Sequence, residues 1–406
     1  MKYSGVKWIG DIPDNWEIKK VKHCFYISKE QAHEENPTIL SLARSGIKVR
    51  DISNNEGQLA ASYDNYNPVK PGDLLLNPMD LYSGANCNMS EVSGVISPAY
   101  INLRPKADLN PKFFDYFFKT QYWAMAMFAH GKGVSFDNRW TMNAETLLNY
   151  YLPFPHLTIQ NKIVSFLNDR KNNIEELIDI ENEQIALLEE YKECMIKDVV
   201  TKGIDISEEM VNTNSRWLLS IPKSWKFQRF KYCHSGTNVG ESIDKTFVVD
   251  DGGYVFYTAG LNSVRVSYKD FPIEKLTTKS DLLMSRNGNP YVFIPLENAM
   301  YSDHVIRVTV KKEYNKEFIK YALQSSIQFE KAQGVSIVTW NASIWNEQEL
   351  PIPPIAVQNQ IVEFITKESA KIDNLIFLKQ QKIISLNQYF QSLVYECVTG
   401  KIEADS

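Results

Sequence analysis

Leu152-Pro153-Phe154-Pro155-His156-Leu157-Thr158-Ile159-Gln160-Asn161-Lys162-Ile163-Val164 returns 198 residues later, without a gap, as Leu350-Pro351-Ile352-Pro353-Pro354-Ile355-Ala356-Val357-Gln358-Asn359-Gln360-Ile361-Val362. The prolines predict an extended lead-in, because each lacks an N–H and pushes the residue before it out of the helical region. A long helix is expected next. Apolar residues then step by fours and threes through Ile174, Ile178, Ile185, Leu188, Met195 and Val199, and again through Ile372, Ile376, Ile383, Leu386, Leu393 and Cys397. That is a heptad seam, which pairs helices by knobs-into-holes packing.

Both repeats interrupt the seam with a charge at one equivalent position, Glu181 and Lys379, and the first adds Lys192 where the second has Phe390. Counted from Ile163 to Val199 each helix is a strut of roughly 55 Å at 1.5 Å per residue. The ends match too, Val200-Thr201-Lys202-Gly203-Ile204 against Val398-Thr399-Gly400-Lys401-Ile402. Two unrelated surface helices would not share lead-in, seam and exit; a duplication does.

A second repeat runs at an offset of 209. Trp8-Ile9-Gly10-Asp11-Ile12-Pro13-Asp14-Asn15-Trp16 corresponds to Trp217-Leu218-Leu219-Ser220-Ile221-Pro222-Lys223-Ser224-Trp225. After each second tryptophan the residues alternate apolar and polar, as a first strand does. The tryptophans read as core. Weaker matches lie inside each domain: Asp73-Leu74-Leu75-Leu76 with Asp281-Leu282-Leu283-Met284, Asn110 to Tyr116 with Asn315 to Tyr321, and Gly133-Val134-Ser135 with Gly334-Val335-Ser336. Between these anchors the two copies differ freely, the pattern of one scaffold bearing two surfaces. The aromatics from Phe113 to Phe128 suggest a buried helix rather than a base-stacking platform, because the other copy has Ile319, Ala322 and Leu323 at the same helical spacing.

Composition bounds the answer. In 406 residues, 44% hydrophobic and 23% charged, there is material for two to four domains with real cores. No run approaches the roughly 18 apolar residues of a membrane span, and the N-terminus has no apolar signal core, so a cytoplasmic protein is expected. Five cysteines without CxxC spacing read as reduced thiols. The net charge of −5 does not by itself suggest nucleic acid. Residues 151–212, however, hold 6 basic and 13 acidic groups, so the acid sits on the first strut and leaves the globular parts able to present basic faces.

Chemistry of its own is missing from the chain. There is no phosphate loop, no dinucleotide fingerprint and no HExxH. The six histidines, His304 among them, lack metal or triad spacing. Asn77-Pro78-Met79-Asp80 has neither the second proline nor the aromatic of the amino-methyltransferase tetrapeptide. No catalysis by this chain is expected.

Two variable domains alternating with two near-identical helical repeats, each opened by prolines and Gln-Asn-x-Ile-Val, resemble the specificity (S) subunits of Type I restriction-modification systems over essentially the whole chain. The resemblance implies an α+β fold: two mixed α/β target-recognition domains separated by two long helices in a coiled coil. The residues add a circular order: Val398 to Ile402 match the segment that leads into Trp217, and what would follow, Trp8-Ile9-Gly10, stands at the N-terminus, which predicts a pseudo-two-fold internal repeat with antiparallel helices and adjacent termini. The expected boundaries are 1–151, first recognition domain; 152–212, first helical spacer; 213–349, second recognition domain; and 350–406, second helical spacer. The resemblance also implies a non-catalytic chain that reads a bipartite site in double-stranded DNA and docks two methyltransferase (M) subunits and restriction (R) subunits, with no membrane. S-adenosylmethionine for adenine-N6 methylation, and ATP with Mg, then belong to those partners, and this chain binds no cofactor or metal.

Base edges are read by hydrogen-bonding side chains, while phosphate contacts only position the protein. Candidates for DNA binding are therefore loop residues: Arg44, Lys48, Arg50, Asn86, Asn88, Lys132, Asn138 and Arg139 in the first domain, and Asn238, Arg265, Arg286, Asn287, Asn289 and Asn341 in the second. Ser285-Arg286-Asn287-Gly288-Asn289, just after the predicted strand Asp281 to Met284, is the strongest. For any single one of them the solvated-loop reading is the favoured one, since base contacts are a minority even of true DNA contacts. Two other classes stay open from sequence: a duplicated protein-interaction scaffold without a DNA role, and a self-contained methyltransferase, which the missing tetrapeptide opposes.

Overall fold

The computed structural model describes residues 1–31, 37–43, 46–50, 63–79, 81, 87–106, 108–133, 140–205, 207–258, 262–287, 289–332 and 340–404. It divides into two compact units, Met1–Glu181 with Gln380–Ser406, and Asn182–Lys379. Each long helix therefore contributes one half to each unit.

The units share one four-stranded sheet in the same strand order. In unit 1 an antiparallel sheet runs in the order Phe25–Ile27, Ile101–Pro105, Leu74–Leu76, Cys87–Met89. In unit 2 the order is His234–Val239, Val305–Val310, Asp281–Ser285, Val292–Phe293. The registers match, Leu74 opposite Leu103 and Leu282 opposite Val308. The predicted first strands form as Glu17–Lys20 and Lys226–Arg229, and each pairs with a proline-bearing lead-in, Tyr151–Phe154 or Glu349–Ile352. Prolines are tolerated there because these are two-stranded ribbons with free edges.

One helix covers each sheet. Pro111–Trp123 buries Phe113, Phe114, Phe117 and Phe118 completely. Each fully buried ring contributes about 1.5–3 kcal/mol, so this helix is core, and the stacking-platform reading falls. Its counterpart Lys316–Ala332 buries Phe318, Ile319, Ala322 and Leu323. Trp16 and Trp225 are both buried, as their place beside a turn proline predicts. All five cysteines are free thiols.

A carboxylate is buried at the same place in each sheet. Asp73 accepts from the Arg104 guanidinium (2.9 and 2.8 Å) and from Asn102 Nδ2 (3.0 Å). Asp281 accepts from Thr309 Oγ1 (2.5 Å), with Arg307 Nε 3.9 Å away. On the neighbouring strand the arginine and the neutral donor have exchanged places, since Asn102 lies opposite Leu75 and Arg307 opposite Leu283. A buried charge needs a partner, and the repeat keeps that need while solving it twice.

The first strut spans Leu157–Lys202, 46 residues, and the second Ile355–Val398, 44 residues. Both start earlier than the count from Ile163 implies, because nothing after Pro155 or Pro354 opposes helix and Gln160 and Gln358 already donate their N–H groups to His156 and Pro354. Every seam residue named above is buried or half-buried.

Within unit 1, Ile163 and Leu167 share a core with Leu393 and Cys397, and Glu181 accepts from Lys382 Nζ at 2.6 Å. Within unit 2, Lys379 donates to Gln184 and Lys192 to Asp373 at 2.6 and 2.8 Å. As numbers rise on one helix they fall on the other, so the pairing is antiparallel in both units. The seam charges face partners across it.

The circular relation appears in the caps. Both helices end in a left-handed glycine, Gly203 (φ +83°) and Gly400 (φ +70°), the usual C-terminal stop. Gly203 abuts Trp225, and Gly400 abuts Pro13 and Trp16. Residues near the C-terminus, Ile402 and Ala404, join the core built around Val6, Ile9 and Trp16, so the termini are adjacent. The N-terminal strand Lys2–Tyr3 pairs with Asp11–Ile12 just as Met210–Asn212 pairs with Ser220–Pro222.

Candidate nucleic-acid interface

The same scaffold presents different loops. Unit 1 adds the hairpin Leu40–Ala43 with Gly46–Val49 and the pair Asn67–Val69 with Gly94–Ile96. Unit 2 adds a sheet in the order Val248–Val249, Ser263–Val266, Tyr254–Tyr257, Met300–Tyr301, over its own core of Phe256, Val266, Phe271 and Tyr301. The variable sequence between anchors thus builds separate strands on a common base.

In unit 2 the ends of three strands converge. Ser285 is opposite Val305, and Val239 opposite Ile306. Arg286, Asn287 and the exposed Asn289 leave this end, and Asn238 lies near it on the outer strand, exposed. The loop is pinned from below: Trp345 Nε1 donates to the Ser285 carbonyl at 2.8 Å, a fully buried bond. Unit 1 pins the equivalent turn with Tyr122, whose hydroxyl donates to the Asn77 carbonyl at 2.7 Å. From the side, the Arg286 N–H donates to the His304 carbonyl (2.9 Å) and its guanidinium to the Asp303 carbonyl (2.9 Å). Asn287 Nδ2 lies 3.2 Å from His304 Nδ1. Exposed donors and acceptors held this firmly suit base reading, which depends on preorganisation.

The remaining candidates are spread more widely. Arg265 is exposed on the second sheet and donates to the Gly252 carbonyl at 3.3 Å. Asn341 is the N-cap of the short helix Ala342–Asn346, its side-chain oxygen taking the Ile344 N–H, as Asn143 takes the Thr146 N–H in unit 1. A cap kept in both copies gives Asn341 a structural role.

In unit 1, Lys48 is exposed on a hairpin strand, the Arg50 N–H donates to the Ile39 carbonyl, and Asn88 ties its strand to that hairpin through the Ala43 carbonyl at 3.3 Å. Lys132 sits apart, bridged to Thr141. Arg44, Asn86, Asn138 and Arg139 lie outside the described residues, as do the ends of the Gly133-Val134-Ser135 match and all of Gly334-Val335-Ser336.

Sequence reasoning missed Asp303 and His304. A lone histidine carries no spacing signal, and only the strand register brings it beside Asn287. Among the described residues no cluster of histidine, cysteine and carboxylate side chains could hold a metal, and no helix is long and apolar enough to cross a membrane.

Comparison with known proteins agrees with this geometry. Residues 237–388 match the family described as the Type I restriction modification DNA specificity domain. The Type I restriction enzyme MjaVIII specificity subunit of Methanocaldococcus jannaschii is 22% identical over 363 residues, 82% of this chain and 80% of that protein. Among solved structures, one from work titled as the structural basis of complex assembly and conformational transition of the type I R-M system superposes with a TM-score of 0.70 at 12% identity, covering 97% of this chain and 100% of that one. The HsdS subunit of Thermoanaerobacter tengcongensis gives 0.53 at 12% identity, covering 99% and 100%. In its duplicated scaffold and paired struts the chain shares the fold of these structures, and in sequence it is similar to the specificity subunits of Type I restriction-modification systems.

Proposed function

We propose that the chain is the non-catalytic, sequence-reading subunit of such a system, each unit reading one half of a bipartite site in double-stranded DNA. The observation that carries this is the pairing of an identical scaffold with different pinned loops: the turn that offers Asn77-Pro78-Met79 in unit 1 offers Arg286-Asn287 in unit 2. Two copies of one reader with two reading surfaces are what an asymmetric, two-part target requires.

The struts are the docking sites for two methyltransferase subunits. Apolar side chains stay exposed along them, Leu177, Ile180, Ile384 and Tyr389 in unit 1 and Leu187, Tyr191, Leu375, Phe377 and Leu378 in unit 2. Several lie three or four positions apart on one helix, Leu177 with Ile180, Leu187 with Tyr191 and Leu375 with Leu378, and exposed apolar side chains grouped in this way mark a protein interface. S-adenosylmethionine for adenine methylation is supplied by those partners, and ATP with Mg by restriction subunits; the setting is the cytoplasm, where the DNA is.

A duplicated scaffold that binds only protein would need the struts but not the pinned Arg286 and Asn287. Mapping adenine methylation across the genome with and without this gene tests the reading. Loss of one two-part motif supports it, and an unchanged map overturns it.

A further inference from the structure

We propose that His304 is a positioning residue that fixes the amide of Asn287 so that Asn287 reads adenine in one half-site; the inference rests on the DNA-reading role above. Asn287 and His304 are both exposed at the strand ends of unit 2, one on the loop after Asp281–Ser285 and the other on the loop before Val305–Val310. Neither loop is free to drift, because the Arg286 N–H is bonded to the His304 carbonyl and the Arg286 guanidinium to the Asp303 carbonyl. The His304 ring is therefore presented to Asn287 from a fixed backbone.

The hydrogen-bond inventory decides what Asn287 can then do. An asparagine amide has two N–H donors on Nδ2 and two acceptor sites on Oδ1. With Nδ2 3.2 Å from His304 Nδ1, one donor is used by the ring nitrogen, which accepts. The second N–H and the whole of Oδ1 remain. That pair is the arrangement that holds adenine in the major groove, Oδ1 accepting from N6–H and Nδ2 donating to N7. Without the ring nitrogen the amide turns about its last torsion, a soft two-fold rotor, and its two faces exchange. His304 supplies the bias. The side chain that reads is Asn287, and His304 acts through it.

The test uses the full-length chain in complex with its methyltransferase subunit, selected against a randomised duplex DNA library and sequenced. His304→Leu keeps the ring's bulk and removes the acceptor; His304→Asn places an oxygen where Nδ1 stood. We expect His304→Leu to lower the adenine preference at one position of one half-site by about 10-fold, Asn287→Ala to lower it equally, the double variant to add nothing, and His304→Asn to restore it. Melting temperature and affinity for random duplex stay unchanged. The proposal is overturned if His304→Leu leaves that preference intact, if all positions weaken together, or if the position that responds is not adenine. A wild-type complex that enriches no sequence sinks the DNA-reading role itself, whereas enrichment that His304→Leu does not alter sinks only the role of His304.

Discussion

Gln160 Oε1 accepts the backbone N–H of Asn110 at 2.8 Å, and the same bond recurs at 2.8 Å between Gln358 and Asn315. Around it the whole latch is copied. Gln160 Nε2 donates to the Pro155 carbonyl and Gln358 Nε2 to that of Pro353, while the Asn110 and Asn315 amides donate to Asn161 and Asn359, all at 2.8 Å. The Gln-Asn pair of the repeated motif thus fastens the first turn of each strut to the start of the helix that covers each sheet.

Truncating the latch should loosen one unit and spare the other. Gln160 is fully buried, so Gln160→Ala leaves the Asn110 N–H and the Pro155 carbonyl without partners, at a cost of about 1–3 kcal/mol. Hydrogen exchange is expected to quicken in residues 101–123 and to stay unchanged in 305–323. Gln358→Ala should reverse the pattern.

Two left-handed glycines make a graded prediction. Gly5 has φ +77° with nothing within 4 Å of an added Cβ, whereas at Gly400 (φ +70°) that atom would lie 2.4 Å from Pro13 Cδ. Gly5→Ala then costs only the left-handed strain of about 1–2 kcal/mol. Gly400→Ala must also displace the ring of Pro13. Thermal unfolding should show a clearly larger fall in melting temperature for Gly400→Ala; equal falls would contradict the packing of the C-terminal cap on the N-terminal segment.

The polar break in the seam predicts non-additivity. Glu181 is only 5% exposed and faces Lys382. Removing Lys382 takes a cation away from a buried carboxylate that remains charged, whereas the double change removes the buried charge as well, so Lys382→Ala should destabilise unit 1 more than Glu181→Leu with Lys382→Ala. Chemical denaturation of the two variants measures the difference. A double variant less stable than the single one would show that the pair supplies stability as well as specificity.

How much of this was legible in the sequence follows from range. The seam, the duplication and the circular order are periodic, and period is visible in one dimension. Ile174, Glu181 and Lys379 could be placed before any coordinates were known. The latch was visible as Gln-Asn but not as a latch, because its partner Asn110 lies 50 residues away from Gln160. Sheet order was hidden for the same reason, since strands such as Leu74–Leu76 and Cys87–Met89 are too short for alternation to announce them. Among candidate readers, Arg286 and Asn287 were legible as polar residues after a strand. Asn341 has the same composition signal, and its place as a helix cap shows only in three dimensions.

Strut length should set the unread spacer between half-sites. The sequence suggests lengthening the chain at Thr201-Lys202-Gly203, but Gly203 is packed against Trp225, and an insertion there would break the cap. One heptad added to both struts, after Glu181 and after Lys379, keeps the seam and adds about 10.5 Å of helix. Methylation mapping of that variant should return the same two half-sequences with a spacer longer by about 3 base pairs, at 3.4 Å per step. A changed half-sequence would contradict that role for the struts.

The most direct measurement of the central claim is the sequence selected from a randomised duplex library by the assembled wild-type complex, set beside that selected by Arg286→Ala. Two readers on one chassis predict a two-part motif in the first case, and in the second the same motif with information lost from one half alone, by about 1–3 kcal/mol of discrimination at the position Arg286 reads. A single uninterrupted motif, or an equal loss from both halves, would contradict it.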